Sequence, residues 1–510
     1  MPVRLTSLKT LLYCLLSPIL LWLAFPELNL EYFAWFSFVP LLFIIRNKSG
    51  TKAFWLSYFS GFIFFILTLY WLVHVTLIGL IILCLYLAFY FAFFGYFFVC
   101  FRKKFSRLNI FLVLFLSSLW VILEYIRSQV LTGFPWALLG YSQYLNIYII
   151  QLVDITGGLG LSFLVMFVNL CVLEIIELLS QRKFKLAAKI ISNVLLIFLL
   201  IYGYGFYSLN KYSKQEKTTL GVSLIQGNIP QENKWQSNFK TSIKEVYFDL
   251  SFRALKENPD IIIWPETAYP DYIVSSDKQT LGLLSKIVRD TKCPLLFGAI
   301  YQKQDNYFNS AVLITDDSTP VEVYNKIHLV PFGEYLPLRK YILSLENFVP
   351  IADFNAGSEF VIFKVKNKQN KNFYFGVLIC FEDTIAELSR IFRLRGADFL
   401  VNITNDAWFK KSSSPYQHLQ ASVFRAVENR ICVLRAANTG VSCAIDKCGR
   451  IIKRVKDIQG RDIFVRGFIK TEVTKQGILS FYSLFGDIFV SVCILYTLLF
   501  VIYYIKKKFA

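Results

Sequence analysis

Long apolar segments occupy both ends of this chain, and a segment of mixed polarity separates them. The first segment is almost continuously apolar and uses Phe and Tyr heavily, whereas the middle has the composition of an ordinary soluble domain. The pattern predicts a membrane domain over residues 1–209 and a soluble domain over 210–477. A C-terminal membrane helix with a basic tail is predicted over 478–510.

Eight apolar stretches approach the roughly 20 residues that a membrane-spanning helix needs. They are Leu11–Phe25, Leu30–Ile45, Phe54–Val73, Leu77–Phe101, Leu108–Leu123, Ile149–Leu173, Ile190–Tyr207 and Phe481–Ile505. The first two are short and closely joined, so we expect a tight hairpin. The first also resembles a signal peptide, but it lacks a small-residue cleavage site and another apolar run follows at once, so we expect it to be retained.

Positive charge is concentrated in alternate loops between these stretches, and basic residues mark the cytoplasmic loops of a membrane protein. The basic segments contain Arg4 and Lys9; Arg46, Lys48 and Lys52; Arg102, Lys103, Lys104 and Arg107; Arg182, Lys183, Lys185 and Lys189; and Lys506, Lys507 and Lys508. The intervening loops have almost none, apart from Arg127 in a predicted loop at 124–143. The alternation predicts that both termini are cytoplasmic and that the soluble domain lies outside the cytoplasm.

Composition narrows the class of protein further. A hydrophobic content of 55% excludes a wholly soluble protein. The net charge of +19 would suit nucleic acid, but much of it lies in the short loops, so we predict no nucleic-acid partner. Five of the ten cysteines fall in the soluble segment, and an odd number excludes complete pairing there. Cys443 and Cys448, on a predicted hairpin, have no matching second pair, so no metal site is predicted.

The soluble segment alternates apolar runs of strand length with helical patterns. The predicted strands are Leu220–Ile225, Ile261–Trp264, Pro294–Ile300, Ala311–Thr315, Phe373–Ile379 and Phe399–Thr404. The predicted helices are Phe239–Glu257, Asp277–Asp290, Thr384–Leu394 and Tyr416–Arg430. Such alternation predicts a layered α/β domain.

Three polar residues stand where catalytic groups commonly emerge. Glu266 follows a buried strand that Pro265 stops, Lys326 lies in a distinctive polar segment, and Cys380 ends a strand before a predicted helix. A helix N-terminus would favour the thiolate. A carboxylate can accept the thiol proton, and an ammonium can stabilise the oxyanion of an attacked carbonyl. Each residue alone has an ordinary structural explanation, but together they predict a cysteine nucleophile.

These three residues, in this order, resemble the catalytic residues of the carbon–nitrogen hydrolase (nitrilase) superfamily. The segment YNKIHLVPFGEYLP at 324–337, with GNIPQ at 227–231 and TGFPW at 132–136, resembles the apolipoprotein N-acyltransferases more narrowly. The resemblance runs over nearly the whole chain. It implies a multi-pass α-helical membrane bundle plus an α/β domain, a nitrilase-like αββα sandwich.

The resemblance also implies roles for individual residues. Cys380 would be the nucleophile, Glu266 the general base and Lys326 the oxyanion stabiliser. The implied supporting or substrate-binding residues are Glu334, Glu382, Trp235 and Phe381. Phe381 departs from the family, whose members often have Tyr after the nucleophile, which puts the role of a hydroxyl there in question. His418 and His328 lie in further matching segments, and we expect both to be structural, with His418 a candidate for a supporting contact.

The implied reaction transfers an acyl chain from a phospholipid, through a Cys thioester, to the α-amino group of the diacylglyceryl-cysteine at the N-terminus of a lipoprotein. It needs no cofactor, and the resemblance implies a protein of the bacterial inner membrane with its catalytic domain in the periplasm, which we expect to be a monomer. Because both substrates are lipids, we expect apolar loops of the site to open towards the membrane, and segments 341–350 and 408–416 are the predicted lids.

Two other functions use the same sequence features. A membrane-tethered amidohydrolase would pass the acyl group from the cysteine to water, although one anchor would suffice for a soluble substrate. A transporter or lipid-binding scaffold would have lost catalysis. Against the scaffold stand the intact catalytic residues and the scarcity of charges in the middle of the membrane stretches.

Overall fold

The computed structural model describes residues 2–105, 107–213, 218–274, 281–315, 321–336, 353–475 and 477–509. The chain divides into two compact units. One comprises Met1–Tyr212 with Phe485–Ala510, and the other is Ser213–Leu484. We call them the membrane unit and the α/β unit.

The membrane unit is a bundle of apolar helices. They are α1 (Pro2–Leu23), α2 (Val39–Ile45), α3 (Gly50–Leu69), α4 (Leu77–Arg102), α5 (Ile110–Gln129), α6 (Val153–Ser180), α7 (Phe184–Tyr212) and the C-terminal helix Ile488–Phe509. In the described part of the chain, six helical stretches are long and apolar enough to cross a membrane, and two shorter ones lie near the N-terminus. Together they correspond to the eight predicted stretches, which confirms a multi-pass membrane bundle.

The loop predicted at 124–143 begins too early, because α5 continues to Gln129. Glu124 accepts a hydrogen bond from the Leu139 amide at 2.7 Å and lies 3.7 Å from Arg127 on the next turn. The pairing explains how the helix carries both charges through this buried segment. Trp136 from the TGFPW sequence is buried, with its ring 5.3 Å from that of Trp71, so it does not face lipid as a membrane-interface anchor would.

Two of the predicted basic loops meet on one acidic side chain. Glu177, near the end of α6, lies 2.6 Å from Arg102 and 3.3 Å from Arg46. Charged pairs of this kind satisfy groups that would otherwise be expensive to bury in a membrane bundle. The shared carboxylate places these two basic segments at the same end of the bundle.

The α/β unit contains two mixed sheets. The strands are β1 (Thr219–Gln226), β2 (Ile261–Ile263), β3 (Tyr272–Val274), β4 (Leu295–Lys303), β5 (Asn306–Ile314), β6 (Glu322–Asn325), β7 (Phe363–Lys366), β8 (Asn372–Ile379), β9 (Phe399–Thr404), β10 (Cys432–Ala437), β11 (Cys443–Ile445), β12 (Ile451–Arg454) and β13 (Gly467–Thr474). One sheet has the order β13-β1-β2-β4-β5-β6 with β3 paired to β4, and the other has the order β12-β11-β10-β9-β8-β7.

Helices cover the outer face of each sheet. They are α8 (Lys240–Leu255), α9 (Gly282–Thr291), α10 (Ala386–Leu394) and α11 (Ser414–Asn429), and a short helix α12 (Phe481–Phe485) follows β13. Helices α8 and α9 contact the first sheet, α10 and α11 contact the second, and β1 and β5 contact β10 and β8 across the two sheets. The layers therefore run helix, sheet, sheet, helix, which confirms the predicted αββα sandwich.

The predicted strands correspond to β1, β2, β4, β5, β8 and β9. Of the central parallel strands, β9 is buried at every residue and β8 is buried from Phe375 to Ile379, as the continuous apolar runs indicated. The helix predicted at 277–290 begins outside the described residues, and its described part is α9. Strands β11 and β12 pair antiparallel, which confirms the hairpin predicted around Cys443 and Cys448.

Candidate functional site

Cys380 stands at the end of β8, where the chain turns sharply. The residue has φ +54°, a left-handed conformation that costs a non-glycine residue about 1–3 kcal/mol. A 3-10 turn, Cys380–Thr384, follows it, and α10 begins only at Ala386. The helix predicted over Thr384–Leu394 is therefore confirmed to within two residues, but the turn separates its N-terminus from Cys380.

The expectation of a favoured thiolate is wrong. Burial raises the pKa of the Cys380 thiol strongly, and the negative charges of Glu266 and Asp406 raise it further, while the charge of Lys326 lowers it. The helix that would have favoured the thiolate begins beyond the turn. A thiol in these surroundings is protonated near neutral pH, so the site needs a base to activate it.

Glu266 is held in place by a close approach of two backbones. It follows β2 through Pro265, and a Cβ placed on Gly298 of β4 would lie 2.6 Å from the Glu266 Cα and 2.4 Å from the Thr267 nitrogen. Only glycine fits this position of the neighbouring strand. Burial raises the pKa of the Glu266 carboxyl, the charge of Lys326 opposes this, and the charge of Glu334 adds to it.

Lys326 lies between two carboxylates, and its side chain is 1% exposed. Its Nζ is 2.7 Å from Glu334 Oε2 and 3.9 Å from Glu266 Oε1. Burial alone would lower the pKa of Lys326, but the negative charges of Glu334, Cys380 and Glu266 raise it, so the ammonium is charged at any working pH. This lysine can therefore stabilise an anion but cannot act as a base.

Asn309, in the middle of β5, was missed by the sequence reasoning. Its Nδ2 donates to Glu266 Oε1 at 2.7 Å and to Glu334 Oε1 at 2.7 Å. One amide group thus uses both of its protons to hold the two carboxylates apart and in register. Asn309 lies two residues before the predicted strand Ala311–Thr315, and nothing in the sequence indicates which side chains it meets.

Lys234 is a second buried lysine at the site that the sequence reasoning did not single out. Its Nζ donates to the main-chain oxygen of Glu266 at 3.0 Å. Burial lowers the pKa of Lys234 to about 8, although the charges of Glu266 and Cys380 oppose the shift. The adjacent Trp235, which was predicted to support the site, has a side chain that is 46% exposed. Lys234 and Trp235 therefore contribute a buried cation and a solvent-facing ring, respectively.

Glu382 connects the Cys380 turn to the Lys326 segment. Its carboxylate accepts hydrogen bonds from the amides of Ile379, Ile327 and His328 at 2.7, 2.7 and 3.0 Å, and from the Tyr324 hydroxyl at 3.0 Å. Burial raises the pKa of Glu382 to about 7, although these amides and the charge of Lys326 oppose the shift. The contacts make Glu382 a brace between two segments of the site.

Replacing Glu382 with Gln should loosen this brace. An amide NH₂ would face backbone N–H donors, and hydrogen bonds to a charged group are worth about 1.5–3 kcal/mol each. We expect a loss of about 3 kcal/mol, seen as a fall of about 6 °C or more in the midpoint of thermal unfolding. Glu387→Gln, at a largely exposed side chain on α10, is the matched control. An unchanged midpoint for Glu382→Gln would contradict the bracing role.

The remaining predicted residues fall around this cluster. The Phe381 ring stacks on His328 with centroids 5.9 Å apart, so an aromatic contact occupies the position where the family often has Tyr. Of the two predicted lids, 341–350 lies outside the described residues. In 408–416, Trp408 is 47% exposed, whereas Ser412, Ser413 and Ser414 are buried. No group of three or more metal-binding side chains occurs within the described ranges.

The arrangement as a whole is suited to acyl transfer through cysteine. It combines a protonated thiol, a carboxylate whose pKa is raised towards neutrality, and a permanently charged ammonium within one buried cluster. The thiol can attack an acyl carbonyl once the carboxylate removes its proton, and the ammonium can stabilise the oxyanion.

Comparison with known proteins gives consistent matches along the chain. Residues 17–171 match the sequence profile described as "Apolipoprotein N-acyltransferase N-terminal domain", and residues 221–463 match "Carbon-nitrogen hydrolase". An apolipoprotein N-acyltransferase from Geobacter metallireducens is 36% identical over 95% of this chain and 93% of its own. One from Rickettsia prowazekii is 31% identical over 94% of this chain and 95% of its own.

Solved structures are more distantly similar to this chain. A CN-hydrolase superfamily protein from Xanthomonas campestris is 18% identical, with 50% of this chain and 91% of that chain covered and a TM-score of 0.39.

Proposed function

Because the chain belongs to the apolipoprotein N-acyltransferase family, we propose that it transfers an acyl chain from a phospholipid to the α-amino group of the diacylglyceryl-cysteine of a lipoprotein. One observation in this chain supports the proposal beyond family membership. Residues far apart in sequence, Glu266, Lys326 and Cys380, interact electrostatically within one buried site. The site retains each chemical group that the transfer needs.

In the first half-reaction, Glu266 takes the proton from the Cys380 thiol, and the sulfur attacks an ester carbonyl of the phospholipid. The tetrahedral oxyanion is stabilised by Lys326. The ester C–O bond then breaks, the alkoxide of the lysophospholipid takes the proton from Glu266, and a thioester remains on Cys380. The carboxylate is regenerated, so the step uses no external acid or base.

In the second half-reaction, the neutral α-amine of the lipoprotein attacks the thioester carbonyl. Glu266 accepts a proton from the attacking nitrogen and returns it to the departing sulfur, which restores the thiol and leaves an amide. The same base and the same cation therefore serve both halves. Donor and acceptor bind in turn at one sulfur, so the kinetics are expected to be ping-pong.

A membrane bundle suits these substrates. Each buried methylene group is worth about 0.8 kcal/mol, so neither lipid leaves the bilayer cheaply. We further propose that the protein lies in the bacterial inner membrane with both termini cytoplasmic and residues 210–477 periplasmic, between membrane segments 1–209 and 478–510. The basic loops support this orientation, since Arg46 and Arg102 share the carboxylate of Glu177. A monomer contains the whole of the proposed catalytic cluster.

The proposal is tested by incubating the purified protein with phospholipid and no acceptor. Intact mass should show one acyl adduct, absent from Cys380→Ala, and a diacylglyceryl-cysteine peptide should discharge it as an N-acylated product. Cys432→Ala, at a buried cysteine on β10, controls for the loss of a thiol elsewhere in the unit.

Two results would contradict the proposal. If phospholipid gives no adduct but the protein turns over small amides, the chain is a membrane-tethered amidohydrolase. If Cys380→Ala acquires the adduct as the unaltered protein does, the acyl group is not carried by this cysteine.

A further inference from the structure

A second cluster of buried charged side chains adjoins Cys380 and takes no part in the mechanism above. Its members, each at most 2% exposed, are Asp383, Asp406, His418 and Arg435. They come from four elements: the turn after β8, the turn after β9, helix α11 and strand β10. An unpaired charge this deeply buried costs several kcal/mol, so the members must balance one another.

The two carboxylates enclose the imidazole of His418. Its Nδ1 is 3.0 Å from Asp406 Oδ1, and its Nε2 is 2.9 Å from Asp383 Oδ1. Burial alone would raise the pKa of Asp383, but the charges of His418 and Arg435 outweigh it and keep the carboxyl ionised. An ionised carboxylate only accepts hydrogen bonds. With a carboxylate on each side, both ring nitrogens carry protons and His418 is an imidazolium.

Arg435 holds this arrangement from the other side. Its Nη1 donates to Asp383 Oδ2 at 2.6 Å, and its Nη2 lies 3.8 Å from Asp406 Oδ2. The Ser422 hydroxyl also donates to Asp383 Oδ2. Two cations thus face two carboxylates, and the orientation of the imidazole is fixed on both edges.

The imidazolium reaches the backbone of the reactive residue. The single proton of His418 Nε2 is shared between Asp383 Oδ1 at 2.9 Å and the Cys380 carbonyl oxygen at 3.2 Å. Asn402 Nδ2 donates to the same carbonyl oxygen at 3.0 Å. Cys380 has the left-handed φ of +54°. A strained conformation persists only where its surroundings over-determine it, and these two donors fix the plane of the peptide bond that follows Cys380.

We propose that His418, held as an imidazolium between Asp383 and Asp406, is a positioning residue that clamps the Cys380 carbonyl and thereby directs the sulfur towards Glu266 and Lys326. The inference rests on the proposed function only in taking Cys380 as the nucleophile. A displacement of about 1 Å in such a group can cost about 100-fold in rate. The alternative is that the cluster only stabilises the fold, in which case folded variants keep the wild-type reactivity.

The test compares His418→Asn with His418→Gln. Asn keeps a donor on the Asp406 side but does not reach the Cys380 carbonyl, whereas Gln places its amide near the position of Nε2. The substrate is p-nitrophenyl butyrate, a soluble ester that acylates a positioned cysteine whether or not phospholipid is the natural donor. The readout is the burst of p-nitrophenol for each folded protein molecule, measured against ester concentration, with thermal unfolding followed in parallel.

We expect His418→Asn to lower the burst rate about 10- to 100-fold with KM within about threefold, and His418→Gln to recover most of the loss. Asn402→Ala removes the other donor to the same oxygen and should slow the burst as well. This variant replaces His418→Asn in the test if His418→Asn does not fold. A wild-type burst rate in the folded His418→Asn or in Asn402→Ala overturns the inference, and so does equal slowing in the Asn and Gln variants. If the ester burst behaves as expected but phospholipid gives no adduct, the positioning role stands and the proposed acyl donor is wrong.

Discussion

Glu266→Gln should slow the acylation of Cys380 by phospholipid by about 100- to 10,000-fold while leaving the fold intact. The thiol is protonated near neutral pH because burial and the surrounding carboxylates raise its pKa. Removing the base therefore leaves almost no nucleophile. Gln preserves the size of the side chain and an oxygen that can accept from Asn309, and it removes one of two carboxylates that share Lys326.

The pH dependence of acylation gives a separate check on the same residue. The base works only when ionised, so the rate rises with pH through the pKa of Glu266, which burial shifts above its ordinary range. In Glu266→Gln this rise should disappear, and the small remaining rate should follow only the ionisation of the thiol at higher pH. Glu245→Gln, on the exposed face of α8, is the control. If Glu266→Gln acylates at the wild-type rate and its rate still falls at low pH as that of the wild type does, another group accepts the thiol proton.

The order of Glu, Lys and Cys predicted three residues that the structure brings into one buried cluster, but it did not predict the residues that hold them. Asn309 meets Glu266 because β5 pairs with β4 and β4 pairs with β2. That sheet order is set by tertiary packing and cannot be deduced from one strand at a time. Lys234 was overlooked for a related reason, since a lysine after a turn is usually solvated and here its ammonium meets a buried carbonyl.

The strands, like the site residues, were predicted in some places and missed in others. Strands buried on both faces, such as β8 and β9, read as continuous apolar runs and were predicted. Strand β10 was missed because Arg435 interrupts it, and that charge is hidden by Asp383 and not by water. Strand β13 was missed because only two of its residues are buried. A sequence reports burial well where the partner is apolar and poorly where the partner is another charge.

The prediction that the pKa of the Cys380 thiol is lowered was wrong for a local reason. The rule that a helix N-terminus lowers a cysteine pKa is sound, but the chain inserts the Cys380–Thr384 turn before α10. Without the helix amides, burial dominates. A cysteine that is not activated in advance needs a base for each turnover, and in the proposed mechanism that base is Glu266.

Lys326→Met should lower the acylation rate by about 100- to 1,000-fold, the usual effect of losing one oxyanion-stabilising group. It should also destabilise the protein by about 3–5 kcal/mol, because Glu334 and Glu266 would remain buried without their shared cation. Both effects are measured on purified protein, the first by single-turnover acylation and the second by thermal unfolding.

The loss of stability in Lys326→Met should become smaller as the pH is lowered. The charge of Lys326 lowers the pKa of Glu266, so removing it raises that pKa further above the unfolded value. A carboxyl with a raised folded pKa favours folding at low pH, where it is protonated in both states, and this contribution is lost as pH rises through the folded pKa. The gap in unfolding temperature between Lys326→Met and the unaltered protein should therefore narrow as the pH is lowered towards 5.

Adding Glu334→Gln to Lys326→Met separates catalysis from stability. The double variant removes one of the two unbalanced carboxylates, so we expect most of the lost unfolding temperature to return. Acylation should stay slow, because no ammonium faces the attacked carbonyl. If the rate returns together with the stability, Lys326 serves the fold through its ion pairs, and another group must stabilise the oxyanion. Lys234, whose Nζ donates to the main-chain oxygen of Glu266, is then the candidate to test.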